Sequence, residues 1–385
     1  MSLNERLTQI QPNAIRAFDA QISDVADILK LTLGEPDFNV PTHIKQAAID
    51  SILADDSHYA PAAGTQALRE AAVHFLADRY NLQYDADSQV IVTLGATEGI
   101  YDTITAVVNP GDRVLIPAPN FPLYDPTVVL AGGVPTYVDT SATDFLLTPD
   151  QLQGAIDTYG DQLVAVVLNY PSNPTGATYT SEQLSALADV LRGTDITVIA
   201  DEIYSELVYD GQHTSIAQYL PDQTLVLNGV SKSHAMTGYR IGFVVGPTKL
   251  IRAVGLIHQF AVTSASNPAM AGAAEALGTE AGRQDTLAMK AEYVARRDYL
   301  VKALRELGFA IPQPAGAFYV FAQIPDELEQ DDVAFSLALA QEGKVAVIPG
   351  SAFGIGGAGY IRLSYAASLA DLQTAVARIA AFITD

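Results

Sequence analysis

Seven short runs of apolar, mostly β-branched residues recur through the middle of the chain, and longer stretches of helical periodicity separate several of them. Runs that are apolar throughout are typical of strands in a sheet that helices cover on both faces. The runs are Gln89–Leu94, Val114–Pro117, Val134–Val138, Val164–Leu168, Ile196–Ile199, Leu225–Leu227 and Phe243–Val245. Between them, 97–108 and 181–192 predict helices, the second with Thr180 or Ser181 as N-cap and Gly193 as its stop. The middle of the chain is therefore predicted to be an α/β domain.

The two ends of the chain show a different pattern, which is typical of a smaller α+β unit. Its predicted elements are a long helical stretch at Ala269–Leu307, strands near Phe318–Ala322, Val345–Ile348 and Tyr360–Ser364, and a last helix from Leu369. The segment before about Pro41 is expected to join this unit. We therefore predict an N-terminal segment of the small domain at 1–44, a large domain at 45–275 and a small C-terminal domain at 276–385.

Composition narrows the classes of function. The chain has 385 residues, with 21 Lys or Arg against 44 Asp or Glu, and a formal net charge of −23. It has no cysteine, which excludes disulfides, thiolate metal sites and a cysteine nucleophile. A field this negative opposes binding to nucleic acid and to anionic membranes, so we expect neither partner. The remaining expectation is a protein that acts on small molecules.

We expect neither a leader nor a membrane span. Residues 1–13 lack the continuous apolar run of a signal peptide. The best apolar run, Leu163–Leu168, is the size of a strand and far short of the roughly eighteen residues that a span needs. A cytoplasmic location is therefore expected.

Several common motifs are absent or out of context. Gly354–Gly359 has the G-x-G-x-x-G spacing of a dinucleotide-binding loop, but a predicted strand follows it where a helix is needed. A glycine turn is the better interpretation. The sequence contains neither a P-loop nor the G-x-S-x-G elbow. Its six histidines show no metal-ligand spacing, so no metal site is predicted.

Candidate chemistry follows the ends of the predicted strands. Lys232 comes shortly after the Leu225–Leu227 run, and Arg240 lies eight residues further on. A lysine forms an imine with an aldehyde when its amine can lose its proton, and an arginine suits a phosphate. Asp201 and Glu202 directly follow another apolar run, where a carboxylate needs a cationic or hydrogen-bonding partner. Taken alone, the lysine and the arginine would more readily be read as solvated loop residues.

Two further strand ends carry turn-forming or small residues. Asn169–Gly176 contains two Pro and a Gly, which fix a turn that could hold the amide of Asn173, although such a turn alone is more often purely structural. Leu94–Glu98 joins a strand to a helix, and its small residues expose the N-terminal N–H groups of that helix to an anion. The carboxyl ends of strands are where α/β sheets place their ligands.

In this order, the motifs resemble those of class I and II aminotransferases, which are pyridoxal 5′-phosphate (PLP) enzymes of fold type I. The motifs are Gly95-Ala96-Thr97, Asn169…Asn173-Pro174-Thr175-Gly176, Asp201-Glu202-x-Tyr204, Ser231-Lys232…Arg240 and Arg362. The resemblance extends over about 33–365 and is nearest to the aromatic and N-acetyl-diaminopimelate aminotransferases. It implies a large domain with a mostly parallel seven-stranded sheet flanked by helices, a smaller α+β domain, and PLP as cofactor.

The resemblance assigns roles around the ring of the cofactor. Lys232 would form a Schiff base with the cofactor and later move the substrate proton. Asp201 would hold the proton of the pyridine nitrogen by a charge-assisted hydrogen bond. Asn173 and Tyr204 would hydrogen-bond the phenolic oxygen.

The resemblance also implies how the phosphate would be bound. Its ligands would be the N–H groups of Ala96 and Thr97, the hydroxyl of Ser231 and the guanidinium of Arg240. One position departs from the pattern, because some relatives place a serine three residues before the lysine, where this chain has Gly229. Ser231 is the available substitute.

Four further positions follow from the same resemblance. Phe121 matches the aromatic ring that stacks on the pyridine, although it could be a core residue and Tyr124 lies close to it in the sequence. Arg362 would bind the substrate α-carboxylate, with Gly34 lining the same pocket. Tyr59 matches a tyrosine that reaches the phosphate of the neighbouring subunit, which implies a homodimer.

We predict an aminotransferase that moves an amino group between an L-amino acid, aromatic or N-acetyl-diaminopimelate, and a 2-oxo acid such as 2-oxoglutarate, by a ping-pong mechanism. A PLP-dependent C–S β-lyase and an aspartate-type aminotransferase stay open as alternatives, although no motif identifies an arginine for a distal carboxylate. A non-catalytic PLP-binding regulator is disfavoured by the net charge of −23. Ile15, Arg16 and Phe18 lie in a segment that, in the subgroup, can fold over the pocket, and an apolar lid would favour aromatic or branched side chains.

Overall fold

The computed structural model describes residues 3–384. Within them the helices are α1 (Ala14–Gln21), α2 (Thr42–Leu53), α3 (Gln66–Tyr80), α4 (Gly95–Val107), α5 (Tyr124–Ala131), α6 (Pro149–Tyr159), α7 (Ser181–Leu191), α8 (Val230–Ser233), α9 (Thr248–Ala261), α10 (Asn267–Gly278), α11 (Glu280–Glu306), α12 (Asp332–Gln341) and α13 (Leu369–Thr384). The strands are β1 (Leu29–Lys30), β2 (Val90–Thr93), β3 (Arg113–Ala118), β4 (Val134–Asp139), β5 (Leu163–Asn169), β6 (Thr197–Asp201), β7 (Thr224–Gly229), β8 (Gly242–Val245), β9 (Tyr319–Gln323), β10 (Val345–Ala346), β11 (Ile348–Pro349) and β12 (Tyr360–Ser364). In these residues, no helix combines the length and the apolar content needed to cross a membrane.

The central element is a seven-stranded sheet with the strand order β2-β8-β7-β6-β5-β3-β4. Its pairs are parallel except those that β8 makes with β2 and β7. Successive residues of β3 face opposite sides, so that Leu115 belongs to one hydrophobic cluster and Ile116 to another. The predicted α/β fold with a mostly parallel sheet covered on both faces is confirmed.

The carboxyl ends of β2, β3, β5, β6 and β7 all meet at one edge of this sheet, because β8 alone runs in the opposite direction. In the register of β5 and β6, Asn169 stands opposite Asp201. The motifs that follow these strands are therefore brought to one edge.

A three-stranded antiparallel sheet, β11-β12-β9, lies in the smaller unit together with α11, α12 and α13. Its strand β12 carries Arg362, whose register partners are Ile348 and Phe321. The two-stranded pair β1-β10 links the N-terminal segment to residues near position 345. The domain limits at 44 and 275 stay a prediction.

Two predicted elements differ from the structure. The stretch 269–307 is two helices, because Thr279 leaves the helical conformation and its Oγ1 accepts a hydrogen bond from the Gly282 N–H, which caps α11. The predicted strand Val345–Ile348 is two short strands, β10 and β11, that pair with different sheets. Thr180 is the N-cap of α7, as predicted.

Candidate active site

One cavity of about 490 Å³ lies at the carboxyl edge of the large sheet. Its lining includes all but one of the residues that the sequence singles out for the site. These are Gly34, Ala96, Thr97, Phe121, Asn173, Asp201, Tyr204, Ser231, Lys232, Arg240 and Arg362. Positions as far apart as 34 and 362 therefore share one cavity, and only Tyr59 lies elsewhere.

Lys232 places its amine in this cavity, with its side chain half-buried. It lies in α8, directly after β7, and its Nζ donates a hydrogen bond of 2.6 Å to the carbonyl oxygen of Gly34. Burial, with the positive charges of Arg240 and Arg362, lowers the pKa of Lys232 to about 8. A lysine in this state can lose its proton near neutral pH, which nucleophilic and base chemistry requires.

Asp201 places a buried carboxylate at the end of β6. One oxygen accepts a hydrogen bond of 2.8 Å from the Tyr124 hydroxyl, and the other accepts one of 3.3 Å from the Ile203 N–H. Burial raises the pKa of Asp201 to about 6, although the Tyr124 hydrogen bond opposes this rise. The carboxylate is thus fixed in orientation and is suited to hold a proton on a partner group.

Arg362 is a buried cation, with 2% of its surface exposed. Its Nη1 donates to Asn173 Oδ1 at 2.9 Å and its Nη2 donates to the Thr32 carbonyl at 2.6 Å, while the guanidinium packs 4.5 Å from the ring centroid of Tyr319. Within residues 3–384 it forms no ion pair with a carboxylate, and its buried Nε has no hydrogen-bond partner. Burying such a charge is costly, so this end of the cavity suits an anion.

Two side chains near Arg362 have fixed orientations. The Oδ1 atom of Asn173 accepts from Arg362, which leaves the Nδ2 group as the free donor. The hydroxyl of Tyr204 lies 2.8 Å from that of Tyr319, and burial, with Tyr319 as its neighbour, raises the pKa of Tyr204. Both side chains are therefore neutral donors at neutral pH.

The first turn of α4, with Arg240 and Ser231, forms a second part of the cavity lining that suits an anion, which we call the anion cradle. Helix α4 begins at Gly95, two residues earlier than predicted, so Ala96 and Thr97 lie in its first turn with N–H groups that have no partner inside the helix. A Cβ at Gly95 would come within 2.7 Å of Arg240 Nη2, so the glycine permits this guanidinium to approach the helix end. Ser231 lies in the same cavity lining.

Tyr59 does not reach this cavity within one chain. Its side chain is 90% exposed, and it lines a separate cavity of about 640 Å³ with Ile52, His58 and residues 264–268. The structure of the single chain therefore does not bring Tyr59 together with Lys232.

The N-terminal helix α1 contributes to the cavity in a way that differs from the expectation. Ile15 and Arg16 line the cavity, but Phe18 is 3% exposed and packs in a core cluster with Phe321 and Phe353. Phe18 therefore anchors the helix by the face that it buries, and its side chain does not line the cavity. The exposed face of α1 presents a cation to the cavity instead.

Sequence reasoning missed several residues of the site. Tyr319 packs on Arg362 and hydrogen-bonds Tyr204, and Tyr124 orients Asp201. Tyr319 is one of 18 tyrosines and carries no motif, so only the pairing of β9 with β12 reveals it. Tyr124 could have been found from the Pro119–Tyr124 segment that holds Phe121.

A polar cluster between α4 and α9 was also not predicted from the sequence. Glu98 and Asp102 project from α4 toward His258 in α9, with His258 Nδ1 at 3.0 Å from Glu98 Oε1 and 3.8 Å from Asp102 Oδ2. Burial lowers the pKa of His258, but the hydrogen bond and charge of Glu98 outweigh it and raise the pKa above its usual value. The Glu98–His258 ion pair thus braces α4, whose first turn forms the anion cradle.

We expect Asp102→Asn to change how stability depends on pH. Burial, with the nearby charge of Glu98, raises the pKa of Asp102 to about 7, so between about pH 4 and 7 the folded chain holds a proton that the unfolded chain releases. The free energy of unfolding therefore falls as pH rises through this window. The variant cannot ionise at position 102, so its free energy of unfolding should fall less than that of the unchanged chain between pH 5 and pH 8. Urea unfolding at both pH values measures this.

The matched control is Asp161→Asn, at an exposed aspartate. It should show the same pH dependence as the unchanged chain. Parallel stability curves for Asp102→Asn and the unchanged chain would contradict the assignment of a proton to Asp102.

Comparison with known proteins gives a consistent match. Residues 26–379 match the family model described as aminotransferase class I and II. The chain is 39% identical over 381 residues to a probable N-acetyl-LL-diaminopimelate aminotransferase of Bacillus subtilis, covering 99% of this chain and 95% of that protein. It is 35% identical over 383 residues to aromatic-amino-acid aminotransferase 2 of Thermococcus litoralis, covering 98% and 97%. The solved aspartate aminotransferase of Thermus thermophilus with maleate matches with a TM-score of 0.94 at 35% identity, covering 99% of this chain and 100% of that one.

These matches confirm the resemblance on which the sequence analysis rests. The family model spans most of the chain, and both relatives are matched over nearly their whole length. All three named proteins are aminotransferases, so the C–S β-lyase alternative is not favoured. The chain therefore belongs to the class I and II aminotransferases and is a PLP-dependent enzyme.

Proposed function

We propose that this aminotransferase exchanges the amino group of an L-amino acid for the keto group of a 2-oxo acid at the cavity that holds Lys232 and Arg362. The observation that carries the proposal is the buried Arg362 guanidinium without a carboxylate partner in residues 3–384, in the same cavity as the half-buried Lys232. Every amino acid and 2-oxo acid has a carboxylate next to its reacting carbon, and a guanidinium can bind it bidentately. Gly34, whose carbonyl oxygen contacts Lys232, would line the same subsite.

The cavity fits the phosphate of PLP. The N–H groups of Ala96 and Thr97, the Ser231 hydroxyl and the Arg240 guanidinium would bind it, because a helix N-terminus and a guanidinium both favour a phosphate dianion. The absence of a side chain at Gly95 supports this fit, since a Cβ there would lie 2.7 Å from Arg240 Nη2 and the guanidinium would have to move. Ser231 would take the part that a serine at position 229 plays in some relatives.

The cavity also fits the ring of PLP. When bound, PLP supplies an electron-withdrawing ring that makes the Cα–H bond of the substrate acidic. Asp201 would hold a proton on the ring nitrogen, while Asn173 Nδ2 and the Tyr204 hydroxyl would donate to the phenolic oxygen. Phe121 would stack on the ring; it packs edge-on against Tyr124 with 6.0 Å between ring centroids, and Tyr124 in turn holds Asp201.

Lys232 would carry the proton during the reaction. Its Nζ would take the Cα proton of the substrate, because its lowered pKa of about 8 keeps part of the amine uncharged near neutral pH. Arg362 would hold the α-carboxylate meanwhile, so that the Cα–H bond stays within reach of the amine. Lys232 lies in α8 and Arg362 in β12, so elements far apart in the sequence hold the two groups.

We further propose aromatic amino acids or N-acetyl-diaminopimelate as donors, which are the substrates in the names of the two relatives, and 2-oxoglutarate as acceptor. A panel of phenylalanine, aspartate, alanine and N-acetyl-diaminopimelate against 2-oxoglutarate tests this. A donor supplied without acceptor should release one 2-oxo acid per site and then stop. Repeated release of ammonia and pyruvate from a cysteine-like donor would contradict amino transfer.

We propose that the enzyme is a homodimer in which Tyr59 serves the partner's cavity. Tyr59 is 90% exposed. Two large apolar side chains close to it in the sequence are exposed as well, Leu53 at 77% and Ile52 at 63%. Exposed apolar surface of this kind marks an interface.

Heterodimers should reveal this shared site. We expect Lys232→Ala and Tyr59→Ala to be inactive or strongly impaired alone, and a mixed dimer of the two to regain activity. One of its two sites then carries both substitutions and the other carries neither. Co-expression with two affinity tags and assay of the doubly purified dimer measures this, with each homodimer as control. A mixed dimer no more active than the Tyr59→Ala homodimer, or a mass in sedimentation of one chain (40.9 kDa), would contradict the proposal.

A further inference from the structure

Three side chains that can bind a metal ion converge between α4 and α9. Glu98 and Asp102 are four residues apart in α4 and so lie on one face of that helix, while His258 faces them from α9. The Nδ1 atom of His258 and one oxygen of each carboxylate lie within 4.8 Å of one another. Because Glu98 and His258 are 160 positions apart, no ligand spacing marks this group in the sequence.

Asp102 is a buried carboxyl group whose hydrogen-bonding capacity is unused. It is 0% exposed, and within residues 3–384 neither Oδ1 nor Oδ2 has a hydrogen-bond partner. Its contact with His258 Nδ1 is long, at 3.8 Å, because that nitrogen bonds Glu98 Oε1 at 3.0 Å. A proton on Asp102 would remove the charge but would still leave the group unpaired, whereas a metal ion would satisfy it.

The distances around His258 Nδ1 fit a small divalent cation. Zinc binds a histidine nitrogen and carboxylate oxygens at about 2.0–2.2 Å, so two ligand atoms of a tetrahedral site lie about 3.3–3.6 Å apart. The separations of 3.0 Å to Glu98 and 3.8 Å to Asp102 lie on either side of this range. An imidazole ligand also favours zinc over magnesium and calcium, which prefer oxygen.

The remaining oxygens of the two carboxylates suit the same site. Oε2 of Glu98 accepts a hydrogen bond from the Leu94 N–H, which fixes the orientation of the carboxylate, as the outer partners of metal ligands do. Oδ1 of Asp102 has no partner in residues 3–384 and is free to complete the set of four ligands.

We propose that Glu98, Asp102 and His258 bind a structural zinc ion that joins α4 to α9. Two carboxylates and a neutral imidazole balance its charge of 2+, and the ion would take the place of the protons on Asp102 and His258. By holding α4, it would also hold the first turn that belongs to the anion cradle. In chelator-treated enzyme Asp102 keeps its proton, and the pH dependence of stability expected for Asp102→Asn applies to that form.

A second histidine between two carboxylates provides a matched control. His43 lies 2.7 Å from Glu275 and 2.7 Å from Asp285, but the two acids bind opposite nitrogens of its ring. One ion bound to either nitrogen would therefore not reach both carboxylates. Glu275→Gln removes an acid beside a histidine without removing a proposed zinc ligand.

The metal content of the holoenzyme, made without a metal-binding tag, tests the proposal. Enzyme produced with zinc, manganese and magnesium in the medium and then gel-filtered should contain about one zinc per chain by plasma mass spectrometry. Asp102→Asn and His258→Gln should each lower the zinc content at least about 10-fold, whereas Glu275→Gln should keep it. Less than about 0.1 zinc per chain in the unchanged enzyme, or the same content in Asp102→Asn, would overturn the proposal.

Thermal unfolding of the unchanged holoenzyme tests the site without any substitution. Added zinc should raise Tm by at least about 2 °C relative to chelator-treated enzyme, because an ion bound only by the folded chain stabilises it. Glu275→Gln should show the same increase, and Asp102→Asn should show none. Equal Tm values with zinc and with chelator in the unchanged enzyme overturn the proposal, and so does a full increase in Asp102→Asn.

Discussion

Lys232→Ala should lower turnover at least about 10⁴-fold, because the chain then has neither the nucleophile nor the proton carrier of the proposed reaction. With the pKa of Lys232 at about 8, roughly a quarter of the amine is uncharged at pH 7.5, compared with about 0.1% for an ordinary lysine. Burial lowers this pKa, and the nearby charges of Arg240 and Arg362 lower it further against the opposing charge of Glu35. Single-turnover assays with a saturating amino donor measure the loss.

A second measurement tests the covalent role of Lys232 independently of activity. Borohydride should fix the cofactor on the chain, and the mass of a proteolytic peptide should place it on Lys232. In Lys232→Ala the cofactor should be lost on dialysis after the same treatment. Lys249→Ala, at an exposed lysine of α9, serves as control and should keep both activity and attachment. Retention of more than a tenth of the original turnover by Lys232→Ala would sink the mechanism.

The sequence was sufficient to predict the large sheet because its signal is local. The parallel strands β5 and β6 are apolar over most of their length, and they differ from their predicted limits by only a few residues. The small unit was harder to predict, since β10 and β11 have two residues each and pair with different sheets. Such short strands are specified by their tertiary partners, which a local pattern does not contain.

The candidate site also has a part that the sequence predicts and a part that it does not. Residues that directly follow a strand, such as Asp201 and Lys232, could be found because the turn and the strand end are visible in the sequence. The contacts between positions far apart in the sequence could not be predicted. Asn173 is separated from Arg362 by 189 positions, and Glu98 from His258 by 160.

Asp201→Ala should leave PLP bound but lower kcat by about 10²–10³-fold or more. The proposed phosphate ligands and Lys232 are unchanged in this variant and would still hold the cofactor. The loss should therefore appear in kcat and not in the cofactor content. Without the buried carboxylate, no residue is positioned to keep a proton on the ring nitrogen, and electrostatic stabilisation of the developing charge is lost. Cofactor content by absorbance and kcat by single-turnover assay separate the two effects.

Tyr124→Phe is the graded companion of this variant. The Tyr124 hydroxyl donates to Asp201 at 2.8 Å and so lowers a carboxyl pKa that burial raises to about 6. Its removal should raise that pKa further, so the acid side of the kcat/KM profile should move to higher pH while activity near pH 8 changes little. Asp222→Ala, at an exposed aspartate, should match the unchanged enzyme throughout. Near-normal kcat in Asp201→Ala would show that the ring nitrogen needs no proton, and an unmoved profile in Tyr124→Phe would show that Asp201 does not titrate in the reaction.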